Sequence, residues 1–192
     1  MKNSLAKNLN TAKSMIEEIY KDTQFTQIFS KSCKILTSSF VNGGKVYIAG
    51  NGGSAADASH FAAELVVRLG VERPSIPAES IASDPSVITA IANDYGYADV
   101  FYRQLQSKIK KEDVFFAIST SGNSSNIIKA LEYTKTNNIK SILLTGRDGG
   151  KAKLLADYSL VIPNDKTSTI QELHKILIHS LCEEIEYNLF FN

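Results

Sequence analysis

A chain of 192 residues suffices for one domain with a substantial core and is short for a cofactor domain joined to a substrate domain, so a single domain over 1–192 is expected. Its 21 Lys plus Arg against 20 Asp plus Glu leave a net charge of +1, which offers no electrostatic footprint for nucleic acid or an anionic membrane surface. The amino-terminal stretch lacks the apolar core of a signal peptide and no segment reaches bilayer-spanning length, which points to a cytoplasmic protein. Cys33 and Cys182 are too few and too far apart for a disulfide framework or a zinc knuckle, and read as buried free thiols.

In chain order, apolar residues recur at helical spacing from residue 3 to about 42, first over Leu5, Leu9, Met15, Ile16 and Ile19, then over Phe25, Ile28, Phe29, Cys33, Leu36 and Phe40. The break near Asp22-Thr23 predicts two helices, whose apolar faces need a partner in the domain or in another subunit. Beyond Asn42-Gly43-Gly44, strand-like and helix-like segments alternate. Strands are predicted at Val46–Ala49, near Glu79–Ala82, and at Val114–Ser119, Ser141–Leu144 and Tyr158–Ile162. Helices are predicted from Ser54, over Pro85–Asn93 and Ala98–Lys108, from Ser124, over Lys151–Ala156, and finally over Thr167–Asn188. Continuous apolar strands separated by helices imply an α/β fold, a parallel sheet covered on both faces, with ligands beyond the carboxyl ends of the strands.

The loop after the first strand, Gly50-Asn51-Gly52-Gly53, is followed by Ser54 as a natural N-cap and by Asp57 as a carboxylate near the helix start. His60 and Glu64, four residues apart, share one face of that helix. A solvated His/Glu pair beyond a glycine turn is one reading of this stretch. Another is a dinucleotide site, since Gly50, Gly52 and Ala55 match the relaxed fingerprint G-x-G-x-x-A.

After the third strand, Ser119-Thr120-Ser121-Gly122-Asn123-Ser124 brings four hydroxyls and a helix start into one small volume, an arrangement suited to a phosphate dianion. No lysine accompanies it, so it is not a Walker P-loop. Asn93 and Asp94 end a helix ahead of Gly96 and read, on their own, as C-capping residues; Gly146-Arg147-Asp148-Gly149-Gly150 reads as a structural turn. In the last helix, Gln171 and His179 project about 80° apart and His174 and His179 about 140° apart, so one face cannot easily use both histidines. Spacing alone does not choose between them.

Four segments, GNGGSAADASHFAAEL, IANDYGY, STSGNS and IQELHKILIHSLC, together resemble the phosphoheptose isomerases, a branch of the sugar isomerase (SIS) domain proteins, and the likeness spans about Asn42 to Glu186. The resemblance implies a flavodoxin-like three-layer α-β-α sandwich around a five-stranded parallel sheet, with extra helices at both ends. It implies an aldose–ketose isomerase turning sedoheptulose 7-phosphate into D-glycero-D-manno-heptose 7-phosphate, the first step toward nucleotide-activated heptose for lipopolysaccharide or capsule. Glu64 then looks like the general base and His179 the general acid. By the same resemblance His60, Glu64, Gln171 and His179 match a divalent-metal site, usually zinc. Asn51, Gly52, Gly53, Ser54, Asn93, Asp94, Ser119, Thr120, Ser121, Ser124 and Gln171 match substrate-binding positions. A homotetramer with active sites at subunit interfaces is implied as well.

A related SIS branch serves as an adaptor for the bacterial replication initiator, and Glu72-Arg73-Pro74-Ser75-Ile76-Pro77-Ala78 resembles that branch too. The adaptors lose the acidic residue of the first SIS helix and the final histidine, whereas Glu64 and His179 are present here. An isomerase for another phosphosugar is the third reading, because the hydroxyl loop grips phosphate and not the sugar.

Overall fold

The structure is a computed structural model and describes residues 3–191; Met1, Lys2 and Asn192 at the ends of the expected domain lie outside it. Two helices open the chain, α1 (Ser4–Lys21) and α2 (Thr23–Val41). Asp22 separates them as expected: its carboxylate accepts from the Gln24 and Phe25 amides and caps α2. An alternating series follows, β1 (Val46–Gly50), α3 (Gly53–Val66), β2 (Ala78–Ser80), α4 (Pro85–Asp94), α5 (Tyr102–Lys108), β3 (Val114–Ser119), α6 (Ser125–Thr136), β4 (Lys140–Gly146), β5 (Tyr158–Ile162) and α7 (Thr167–Phe190). The strands form one parallel sheet in the order β2-β1-β3-β4-β5, the flavodoxin-like order that the sequence reading expected.

Strand periodicity explains the layering. Val46 and Ile48 of β1, Val114, Phe116 and Ile118 of β3, and Ile142 and Leu144 of β4 face one core, shared with Phe61 and Leu65 of α3, Leu36 of α2 and Ile178 and Leu181 of α7. Their neighbours Tyr47, Ala49, Phe115, Ala117 and Leu143 face the opposite core with Leu105 of α5 and Ile127 and Leu131 of α6. Both faces are covered, which is why the strands read as unbroken apolar runs.

Three elements differ from expectation. Strand β2 stops at Ser80, because Ile81 still donates to the Ile48 carbonyl but the Ser83 hydroxyl then bonds the Ser80 carbonyl and curls the chain off the sheet. The helix expected at 98–108 is a 3-10 turn over Tyr97–Asp99 followed by α5, with Val100 and Phe101 driven into the core between them. The one expected at 151–156 shrinks to a 3-10 turn over Lys151–Leu154, where the Ala152 amide is drawn to the Gly122 carbonyl. Among the described residues no helix is long and apolar enough to cross a membrane. Both cysteines are buried free thiols, and burial pushes that of Cys33 up to about 12.

Candidate active site

Gly50 at the end of β1 pairs with Ile118 near the end of β3, so the loops after these two strands emerge side by side. The order of strands reverses there, which is where open parallel sheets bind ligands. Gly50 is required by proximity, since a Cβ would overlap the Ser54 backbone. Gly52 (φ +54°) takes the capping position of α3, its carbonyl accepting from the Ala55 and Ala56 amides. The expected capping by Ser54 is therefore not seen: the helix begins one residue before it, and Ser54 is buried in the first turn with no capping bond. The shift also carries Asp57 beyond the first turn. It is buried, one carboxylate oxygen finds no partner, and burial raises its pKa against the opposing pull of Lys175 and His60.

Asn51 is fixed by side chains from two other segments. Its amide gives a hydrogen bond to Asn126 Oδ1 (2.9 Å) and its oxygen accepts from Asn126 Nδ2 (2.8 Å) and from the Tyr97 hydroxyl (3.0 Å). Asn126 is buried in the first turn of α6, so this reciprocal amide pair ties the glycine loop to the hydroxyl loop. The sequence reading missed Asn126. Its signal was an amide side chain two residues past Ser124. Asn93 and Asp94 end α4 in exposed positions, hydrogen-bonded to each other (3.0 Å), and Tyr97 links the segment that follows them to Asn51.

In the second loop Ser119 is buried, its hydroxyl 3.3 Å from that of Ser124, and its carbonyl accepts from Thr145 Oγ1 (2.6 Å). Thr120 and Ser121 are half-buried beside it, and Ser121 Oγ accepts from the Asn123 amide. Gly122 (φ +61°) lies so close to the Gly149 carbonyl that no side chain fits. The turn 146–150 thus props the hydroxyl loop from behind, consistent with its reading as structural.

The ionisable groups come from α3 and α7. His60 Nε2 lies 2.8 Å from His179 Nε2, the two rings standing edge to face at 72°. His60 Nδ1 lies 3.6 Å from Glu64 Oε1, too long for a hydrogen bond and close enough for charge interaction. One ligand atom from each of His60, Glu64 and His179 lies within 4.8 Å of the others, all three residues being half-buried. Tetrahedral zinc holds its ligands roughly 3.3 Å apart, between the 2.8 Å histidine contact and the 4.8 Å limit on the three donors, so the donors suit such an ion in kind and would shift slightly to hold it. Gln171, one turn into α7, has its amide against Gly53, where a Cβ would stand.

His174 is separated from this cluster. It is fully buried, its Nε2 3.2 Å from the Thr145 carbonyl, its Nδ1 has no partner, and burial lowers its pKa to about 4. The angular conflict between the two histidines is thereby resolved: His179 faces the site and His174 faces the core.

Fold and site together define an α/β protein with a doubly covered parallel sheet and its candidate site where the strand order reverses, and comparison with known proteins supplies the family. The SIS domain family matches residues 8–146, and the chain belongs to it. Within that family it belongs to the phosphoheptose isomerases. The chain is 51% identical over 160 residues to the phosphoheptose isomerase of Helicobacter pylori strain P12, covering 83% of each, and 43% identical over 190 residues to that of Sulfurimonas denitrificans, covering 99% of this chain and 97% of the relative. The solved phosphoheptose isomerase of Neisseria gonorrhoeae superposes with a TM-score of 0.89 at 36% identity, over 95% of this chain and 97% of that one. Membership of that group makes the chain an aldose–ketose isomerase.

Proposed function

We propose that this chain, as one SIS domain, interconverts sedoheptulose 7-phosphate and D-glycero-D-manno-heptose 7-phosphate, with Glu64 as the base and His179 as the acid. The observation that carries this reading is the meeting of His60 and Glu64, on the helix that follows the glycine loop, with His179 of α7. In the open-chain ketose, Glu64 removes a proton from C1 while His179 gives one to the C2 carbonyl oxygen, leaving a cis-enediol. The O1 proton then returns to the imidazole as the C1 carbonyl forms, and Glu64 delivers its proton to C2.

The hydroxyls of Ser119, Thr120, Ser121 and Ser124, with the α6 amino terminus, hold the phosphate, and Ser54, Asn51, Gly52 and Gly53 line the approach of the sugar. Asn93, Asp94 and Gln171 bind sugar hydroxyls. His60, Glu64, Gln171 and His179 would hold zinc, which when bound polarises the substrate oxygens. A carboxylate has two oxygens, so Glu64 would keep one free to take the carbon-bound proton if the other held an ion.

The working form is a homotetramer in the cytoplasm with sites completed between subunits. Exposed Leu5, Leu9 and Tyr20 on α1 and an apolar groove over Ile19, Phe25, Phe29 and Leu177 support that assembly. The deciding experiment is incubation with sedoheptulose 7-phosphate, followed by NMR. Appearance of the aldose with solvent proton exchange at C1 or C2 is expected; no turnover, with and without zinc, sinks the isomerase.

A further inference from the structure

We infer that Arg73 and Glu186 form a positioning staple that sets the distance and rotation between the two helices carrying the acid–base residues. This rests on the isomerase reading above. Arg73 belongs to the Glu72–Ala78 stretch, which no step of the reaction uses. Its side chain is 1% exposed and that of Glu186 5%, so both charges are out of water. Arg73 Nε and Nη2 each lie 2.9 Å from Glu186 Oε1. The remaining N–H groups go to main chain: Nη1 donates to the Leu65 (2.6 Å) and Pro74 (3.1 Å) carbonyls, and Nη2 to the carbonyl of Glu64 itself (2.8 Å). Glu186 Oε1 also accepts from the Leu69 amide at 3.2 Å.

Glu64 and Leu65 lie in the last turn of α3, where carbonyls lack amide partners within their own helix and where a cation suits the dipole. Arg73 supplies a partner for the Glu64 carbonyl from outside the helix and shares the Leu65 carbonyl with the Ile76 amide. Glu186 stands seven residues after His179 on α7, about 20° around the axis, so both lie on one stripe. Helix α7 therefore grips α3 twice along that stripe, through His179 on His60 and through Glu186 on Arg73. The first contact seats the proposed acid beside His60, and the second fixes the turn from which Glu64 projects. A buried ion pair is a poor device for stability alone, since apolar residues of similar volume often serve as well. A planar fork satisfying one carboxylate and three carbonyls is a good device for fixing geometry, and a lysine cannot reproduce it.

The test uses the full chain as wild type, R73K, E186Q and R73M/E186L, with Leu131→Ala in the opposite core as a control for destabilisation. Binding of Co2+, read by calorimetry and by its visible spectrum, is measured beside kcat and KM for sedoheptulose 7-phosphate. The staple predicts Co2+ affinity lowered by about 10–100-fold in the Arg73 and Glu186 variants, as for other residues that orient metal ligands. It also predicts a kcat fall of about tenfold or more with KM held within about twofold, while L131A melts earlier but keeps both properties. The double variant refills the buried volume with apolar atoms and serves if the single variants do not fold. Folded variants that keep wild-type kcat and affinity overturn the inference, as does an equal loss in L131A. If the wild type itself fails to turn over, the isomerase reading falls and the Co2+ arm still judges the staple; if it turns over without binding Co2+, kcat alone judges it.

Discussion

His60 and His179, 119 residues apart in the chain, meet Nε2 to Nε2 at 2.8 Å, and Glu64 stands one helical turn from the first of them. A metal ion that takes both nitrogens replaces the contact between the two rings and ties α3 to α7. Chelation is accordingly expected to lower both turnover and melting temperature, with zinc restoring them. An ion present at a hundred times its dissociation constant stabilises the fold by about 2.7 kcal/mol. In H60A that zinc-dependent rise in melting temperature should vanish. A rise equal to the wild type's in H60A would remove His60 from the ligand set.

Glu64→Gln keeps shape and hydrogen-bonding capacity but cannot accept the carbon-bound proton. Turnover of sedoheptulose 7-phosphate should fall by at least ~10²-fold, the scale of general-base catalysis. Circular dichroism and subunit association should be unchanged, because Glu64 is half-buried and its backbone contacts remain. Near-normal kcat in E64Q would rule it out as the base.

Much of this was legible in the sequence where information is local. The strands announced themselves as apolar runs because both sheet faces are covered, and Asp22 and Pro85 marked helix starts by chemistry that acts within a few residues. The start of α3 was misplaced for a local reason: Ser54 has the residue type of a cap, but Gly52 takes the position because the chain turns there through positive φ. What stayed hidden depends on distant partners. Asn126 matters through Asn51, 75 residues away, and Arg73 through Glu186, 113 residues away; no periodicity encodes either pair. Spacing alone did not separate His174 from His179; the resemblance chose His179, and the burial of His174 against the Thr145 carbonyl of β4 gives the physical reason.

Gly122 joins the hydroxyl loop to the turn behind it. Alanine there must adopt φ near +61° and press its Cβ on the Gly149 backbone. A stability loss of about 1–3 kcal/mol is expected from the strained backbone. As Ser121 and Ser124 would be displaced, KM should rise by about tenfold, equivalent to 1.4 kcal/mol of binding. Thermal melting and steady-state kinetics check the two effects, and an unchanged KM would remove the loop from phosphate binding.

The apolar surface of α1 bears on assembly. Leu9 is 61% exposed and Tyr20 86%, an expensive arrangement for an isolated chain but ordinary in a helical interface. Light scattering should give four times the chain mass, and Leu9→Asp with Tyr20→Asp should lower it and reduce turnover together. A wild-type monomer with full activity would dismiss shared sites.

His174 should make stability depend on pH in a window of its own. Burial holds its folded pKa at about 4, below the ordinary 6.5, so the folded state resists a proton that the unfolded chain accepts. For a depressed pKa the contribution is fully present above 6.5 and is lost as pH falls toward 4. The difference of about 2.5 units corresponds to about 3 kcal/mol over that window. In H174L the Thr145 carbonyl loses its partner, so the variant should be less stable at pH 7.5 by about 1 kcal/mol. Because leucine takes up no proton, the gap should close and reverse as pH falls, with the variant gaining about 3 kcal/mol relative to wild type by pH 4. Urea unfolding of both proteins at several pH values measures that change directly. A difference between them that stays constant from pH 7.5 to 4 would mean that His174 is not held neutral by burial.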